Sequence, residues 1–184
     1  QYNGKPCAST THYSDGHKGA CGCGYGDSPF PWMIHGFTTA PNSYFFDSNL
    51  KTWCGGNCGK CVKLTTTVRF YFNASFSTLG GFIDGEGGYT APGRSVTFMV
   101  TNLCPINGNE HWCGQQSTSS GNTFGYAAHF DLEDTARQVT SGLGWNNPEV
   151  TWEFVNCDAE HHHNQQTPSS HDYSKCQCHG HEGK

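Results

Sequence analysis

Two aspartates sit in surroundings that could set them to opposite proton work. Asp15 lies within Thr10 to Gly24 (TTHYSDGHKGACGCG), among aromatic, histidine and glycine neighbours. Asp131 lies within Tyr126 to Glu133 (YAAHFDLE), where apolar Tyr126, Ala128, Phe130 and Leu132 alternate with Ala127, His129 and Asp131. A period of two is that of a β-strand, and it turns Asp131 and His129 away from the core that Phe130 and Leu132 fill. A strand mounts a catalytic group more rigidly than a loop does. Phe130 and the apolar strand would desolvate Asp131 and push it toward the protonated form of a general acid, whereas the glycine-flanked loop leaves Asp15 solvated and ionised, as a base must be. Spacing alone leaves a blander reading open. An aspartate beside glycine is often a turn residue, and a lone strand aspartate is often a hydrogen-bond anchor.

The elements that must position these groups are mainly extended. Gln1 to Ala20 reads as extended structure and turns, and Cys21 to Gly26, followed by Pro29 and Pro31, is too rich in glycine and proline for regular structure. Val62 to Thr65, Ser95 to Thr101, Tyr126 to Leu132 and Val150 to Val155 alternate as strands. Short helices are expected at Asn42 to Asp47 and Asp134 to Val139. There is no internal repeat and no linker to a second module, so residues 1–184 are expected to form a single domain with no appended binding module.

Composition narrows the class. Only 14% of residues are charged and 34% hydrophobic, while 24 glycines and 14% aromatics indicate many turns around a small, ring-rich interior. This is an all-β pattern with short helices, unlike a helical bundle. The net charge of -5 and the lack of a basic run argue against nucleic acid as a partner, and no apolar run approaches the roughly 20 residues that span a bilayer. No charged-then-apolar leader precedes Gln1, so the chain is expected to be already processed. Eleven cysteines favour a secreted, oxidising setting. The groups Cys54-Cys58-Cys61, Cys21-Cys23 and Cys176-Cys178 could in principle take zinc, but their dispersal among glycines fits disulfides better, and no metal or other cofactor is expected. His161 to His163, His171, His179 and His181 make the tail histidine-rich, and residues 159–175 read as a flexible, solvated segment.

The motif around Asp15, TNLCPING at Thr101 to Gly108, HFDL at His129 to Leu132 and WNNPEVTWE at Trp145 to Glu153 together resemble glycoside hydrolase family 45 endoglucanases, most of all the small invertebrate members. The likeness runs in one order along nearly the whole chain. Val68 to Pro92, with Asp84 and Glu86, and the tail after Asp158 depart from it. The resemblance implies a six-stranded double-psi β-barrel with long disulfide-stapled loops and an open groove. It implies a secreted, monomeric endo-β-1,4-glucanase acting on cellulose or a related β-glucan by inversion, with Asp131 as acid and Asp15 as base. Inversion needs the two carboxyls about 6.5 to 9.5 Å apart, with water between. Some branches of the family lack the base and use an asparagine-linked proton route, a role for which Asn102 is the candidate here; otherwise Asn102 is a strand-end turn residue. The implied disulfides are Cys21 with Cys58, Cys23 with Cys176, Cys54 with Cys178, Cys61 with Cys157 and Cys104 with Cys113. Cys7 is then left over, either pairing with a cysteine upstream of Gln1 or keeping its thiol.

Sugar rings stack on aromatic faces while polar neighbours fix their hydroxyls. Tyr13, two residues from Asp15, is the first candidate. Thr11, His129, Trp32 and Trp145 are further candidates for substrate contact, Trp53 and Trp112 are available aromatics, and His17 and Lys18 are candidates to tune the base. Two rivals remain. An expansin-like, non-hydrolytic wall-loosening or glycan-binding protein shares the barrel and the HFD segment, and Asp15 is the discriminating residue. A barwin-like metal-binding or defence protein explains the cysteines but gives Asp15 and Asp131 no reason for their motifs.

Overall fold

The computed structural model describes residues 1–67, 70–72, 75–77 and 91–181. Six strands form the body: β1 (Cys7–Tyr13), β2 (Thr38–Pro41), β3 (Cys61–Thr66), β4 (Ser95–Val100), β5 (His129–Glu133) and β6 (Val150–Val155). They close on themselves in the order β1-β6-β3-β4-β2-β5. Pairing is parallel between β1 and β5 and between β2 and β4, and antiparallel at the other four contacts. The mainly-β expectation is met, with only short helices.

Period two is visible in the packing. Val62 and Leu64 of β3, Phe98 of β4, Phe130 and Leu132 of β5 and Val150 of β6 point inward onto Trp145 and Phe37, all buried. A second core lies under the cystines, where Phe30, Met33, Phe46, Met99 and Tyr173 pack around Cys21, Cys23, Cys58 and Cys178. Burying each such large apolar side chain contributes roughly 1.5 to 3 kcal/mol. The five disulfides join Cys21–Cys58, Cys23–Cys176, Cys54–Cys178, Cys61–Cys157 and Cys104–Cys113, the pairs that the resemblance implies. Cys7 stands outside these ten.

Several local expectations change. The strand expected from Tyr126 begins only at His129, because the Tyr126 backbone is taken by side chains: its N–H donates to Asn122 Oδ1 and its carbonyl accepts from Gln115 Nε2. The helix expected over Asp134 to Val139 is displaced to a π-helical turn at Gln138–Leu143. The Asp134 carboxylate gathers the amides of Val139 and Thr140 and the Thr140 hydroxyl, so the chain wraps that side chain first. Pro31, expected in irregular chain, starts the helix Pro31–His35, where its fixed φ and missing N–H are harmless. The histidine-rich stretch expected to be flexible carries two helices, Cys157–His163 and Ser170–Tyr173. The first is capped by Asn156 and the second by a Ser169/Asp172 capping box, while buried Thr167 donates to the Thr97 carbonyl of β4 and so ties the stretch to the barrel. Segment 68–92 lies outside the described residues, apart from 91–92 and the hairpin of Phe70–Phe72 with Ser75–Ser77.

Candidate active site

The parallel register of β1 on β5 sets Ser9 against His129, Thr11 against Asp131 and Tyr13 against Glu133. Alternate side chains share a face, so these six form one polar row while Phe130 and Leu132 face the barrel interior. The chain leaves β1 at Tyr13 and turns through Asp15, whose Oδ1 accepts the His17 amide at 3.0 Å. Asp15 is exposed, with Gly16 beside it in the left-handed region at φ 71°.

Asp131 is only partly exposed. Burial, and then the nearby charges of Asp15 and Glu133, push its carboxyl up to about 7, although Thr11 Oγ1 donates to its Oδ1 at 2.9 Å and acts in the opposite direction. Glu133 is 1% exposed, and burial raises its carboxyl as well. Its Oε1 accepts the amide and the hydroxyl of Thr135, while its buried Oε2 has no hydrogen-bond partner among the described residues. Across from it, burial and the Glu133 charge raise the Tyr13 phenol well above the usual tyrosine range. Asn102 stands beside this phenol: its Oδ1 takes the amides of Ala20 at 3.0 Å and Leu103 at 2.8 Å, and its Nδ2 lies 3.5 Å from Tyr13 Oη. Gly19 lets the two loops meet, since a Cβ there would lie 2.6 Å from the Thr101 carbonyl and 2.9 Å from the Asn102 side chain.

The sequence candidates therefore divide. Asp15, Asp131, Tyr13, Thr11 and Asn102 come together. His129 does not reach the opening: it is 0% exposed, covered by the Trp112 ring at 5.3 Å, and burial pushes its imidazole down to about 3. Period two placed it on the outer face correctly but could not show that a loop covers that face. Trp145 is 0% exposed in the barrel interior against Phe98, because the loop before β6 folds inward. Trp32 is partly buried and stacks on Phe30 against the core beneath the cystines. Trp145, fully buried, is not placed to meet a substrate at this site. Trp112 packs in one cluster with Tyr13 and stacks on Phe124 at 4.5 Å. Trp53 is 47% exposed near the Asp15 loop, with Lys18 Nζ 5.5 Å over its ring. His17 is held by Asp27 at 2.7 Å. Glu133 is the group that reading the sequence missed, although its place two residues from Asp131 in an alternating strand was a signal.

A cavity of about 630 Å³ lies elsewhere, lined by Phe45, Trp152, Phe154 and Ala128 and by the start of β1 at Cys7. Six residues of strand, roughly 20 Å, separate Cys7 from Tyr13. Its carboxylate, Asp47, is spent on the amides of Asn49 and Gly56, so this cavity lacks the group of carboxyls found at the other end. Among the described residues no group of three His, Cys, Asp or Glu side chains is placed to hold a metal. No helix among them is long and apolar enough to cross a membrane.

Residues 8–163 match the family model described as EXPB1-like domain 1. An endoglucanase of Mytilus edulis is 53% identical over 182 residues, covering 97% of this chain and 93% of that protein. Endoglucanase-5 of Hypocrea jecorina is 36% identical over 94% of this chain and 62% of its own length. Among solved structures, the β-1,4-D-endoglucanase Cel45A from Mytilus edulis superposes with a TM-score of 0.86 at 51% identity, covering 97% of this chain and 94% of that one. The GH45 endoglucanase EG27II, solved in complex with cellobiose, superposes with a TM-score of 0.81 at 47% identity, covering 98% and 92%. With this identity along nearly all of its length, the chain belongs to the GH45 endoglucanases.

Proposed function

We propose that the protein hydrolyses internal β-1,4-glucosidic bonds of cellulose or a related β-glucan by inversion. The observation that carries this reading is the contrast between two aspartates close enough that the charge of Asp15 helps to raise Asp131. Asp131 is partly buried and raised to about 7, and Asp15 is exposed on its loop. Protonated Asp131 gives its proton to the glycosidic oxygen as the bond to the anomeric carbon breaks. A water molecule adds to that carbon from the opposite face and passes its proton to Asp15, so the product has inverted configuration. Tyr13 and Trp112 offer ring faces for the sugar, and Asn102 holds the Tyr13 phenol.

Two parallel strand pairs within an otherwise antiparallel closed sheet support a double-psi barrel for the scaffold. Five disulfides support a secreted, extracellular enzyme. In this reading it acts as a monomer on a neutral polysaccharide, with no nucleic acid or membrane as partner. Asp15, together with relatives named endoglucanase, favours this reading over the expansin-like one.

Reducing-end release and viscosity loss on soluble carboxymethylcellulose test the proposal. The wild type should lower viscosity quickly for few ends released. Asp131→Asn should lose activity about 10³-fold and Asp15→Asn about 10²-fold, within the range for acid–base groups. An inactive Asp131→Asn beside a fully active Asp15→Asn would move the base role to Asn102 or a water relay. A folded wild type that cleaves no β-glucan would bring the expansin-like reading forward.

A further inference from the structure

Behind Asp131, polar side chains continue inward in one unbroken line. Asn122 Nδ2 donates to Ser9 Oγ at 2.9 Å, Ser9 Oγ lies 2.6 Å from His129 Nδ1, His129 Nε2 lies 2.8 Å from Thr11 Oγ1, and Thr11 Oγ1 donates to Asp131 Oδ1 at 2.9 Å. Ser9 and His129 are 0% exposed and Asn122 is 8% exposed, so water cannot substitute for a missing partner at these positions.

The direction of every proton in this line follows from its inner end. Asn122 Oδ1 accepts the amides of Phe124 at 3.0 Å and Tyr126 at 3.1 Å, which fixes the amide orientation and leaves Nδ2 to donate. Its two protons go to Ser9 Oγ and to the Trp112 carbonyl at 3.1 Å. Ser9 Oγ, accepting from Asn122, has its own proton left for His129 Nδ1. Burial keeps the imidazole neutral, so with Nδ1 accepting, the single ring proton is on Nε2 and is donated to Thr11 Oγ1. Thr11 then turns its proton to Asp131 Oδ1. In the opposite direction His129 Nδ1 would donate to Ser9, Ser9 would accept twice, and its buried hydroxyl proton would have no acceptor. The forward direction leaves no member unsatisfied.

We infer that Asn122, a residue remote from the reacting bond, is a positioning residue that fixes the tautomer of His129 and thereby decides which oxygen of Asp131 carries the catalytic proton. Oδ1 is occupied as an acceptor, so the proton rests on Oδ2, the oxygen without a partner among the described residues. Oδ2 is then the oxygen that faces the glycosidic bond. The inference rests on the reading of Asp131 as general acid. It also explains why a residue buried as deeply as His129 stands in the acid's own strand: it transmits orientation and does not titrate.

The test joins nitrogen NMR of His129 to kinetics. In the wild type, Nε2 should be protonated and Nδ1 bare from mildly acidic to mildly alkaline pH; the opposite tautomer would overturn the inference. Asn122→Asp keeps the shape and the two accepted amides but replaces the donor with an acceptor. Ser9 should then donate inward, the ring proton should move to Nδ1, and Thr11 should turn from Asp131 to Nε2. We expect kcat to fall at least about tenfold with KM nearly unchanged. The alkaline limb of the pH profile should shift upward, since the Asp131 carboxylate loses a donor while Asp15, Glu133 and Tyr13, the other ionisable groups facing it, remain. Wild-type kcat, or a loss of kcat with the tautomer unmoved, would overturn the proposal. If Asn122→Asp does not fold, Ser9→Ala removes the same control: mixed tautomers and lower kcat are expected, and a pure Nε2–H ring with wild-type kcat would overturn it. An active Asp131→Asn would instead remove the acid assignment and the catalytic half of the inference, while the nitrogen shifts still report the tautomer.

Discussion

At the scale of single residues, a general acid at neutral pH is an aspartate held where its charge is unwelcome. Asp131 has its carboxyl raised from 3.8 to about 7, by burial first and then by the charges of Asp15 and Glu133. The folded pKa is raised, so the cost is absent below about pH 4, where folded and unfolded carboxyls are both protonated, and is complete above about pH 7, where both are ionised. Stability should therefore decline as pH rises across that window. At about 1.36 kcal/mol per unit the full shift corresponds to roughly 4 kcal/mol, which solvent reaching the partly exposed side chain reduces to about 2. Asp131→Asn, which can still accept from Thr11, should melt higher than the wild type at pH 8 by about 5 °C and lose that gain at pH 4. Equal melting temperatures at pH 8 would mean that the site does not strain its acid. The face that this residue takes was legible in the sequence because it alternates with Phe130 and Leu132. The fate of His129 and Trp145 was not, because alternation assigns a face without saying what lies over it, and coverage by Trp112 is a contact between distant segments.

At the scale of elements, the site depends on holding the loop from Tyr13 to Cys23 against β5 and against the Asn102 turn. Three cystines do this together: Cys21–Cys58, Cys23–Cys176 and Cys54–Cys178 tie the same three short segments pairwise. The separation of 153 residues between Cys23 and Cys176 suggests a chain-entropy contribution of about 5 kcal/mol. With the other two bridges intact, however, that bond closes a ring of only about ten residues, which corresponds to roughly 2.5 kcal/mol. Replacing Cys23 and Cys176 by alanine should therefore lower thermal stability by about 5 to 10 °C and leave a folded enzyme, while removing the Cys54–Cys178 bridge as well, which then closes about 30 residues by way of Cys61–Cys157, should bring the total loss to about two and a half times that of the first. Additive losses in a thermal melt would show that the three bridges act separately. The strands Cys61–Thr66, Ser95–Val100 and Val150–Val155 could be read from their alternation. Thr38–Pro41 could not, since TTAP is short, buried along its whole length and ends in proline, and its strand character comes from its neighbours β4 and β5.

At the scale of the whole molecule, charge is sparse and its balance is negative, with a net of -5 spread over a surface whose exposed acid Asp15 is part of the site. A neutral glucan is indifferent to that field, and its recognition falls to ring faces and hydrogen bonds. Carboxymethylcellulose is a polyanion, so its approach to the same groove is opposed over the Debye length, about 30 Å at 0.01 M salt and about 3 Å at 1 M. The rate on carboxymethylcellulose should therefore rise severalfold in kcat/KM between low and high salt, while the rate on an uncharged soluble β-glucan should change by less than about twofold. The two substrates serve as controls for each other, because salt effects on the fold or on the Asp131 proton would move both rates together. A parallel rise on both would place the salt dependence in the protein. A fall on the anionic substrate alone would mean that the cations near the Asp15 loop, Lys18 foremost, govern the local field over the net charge.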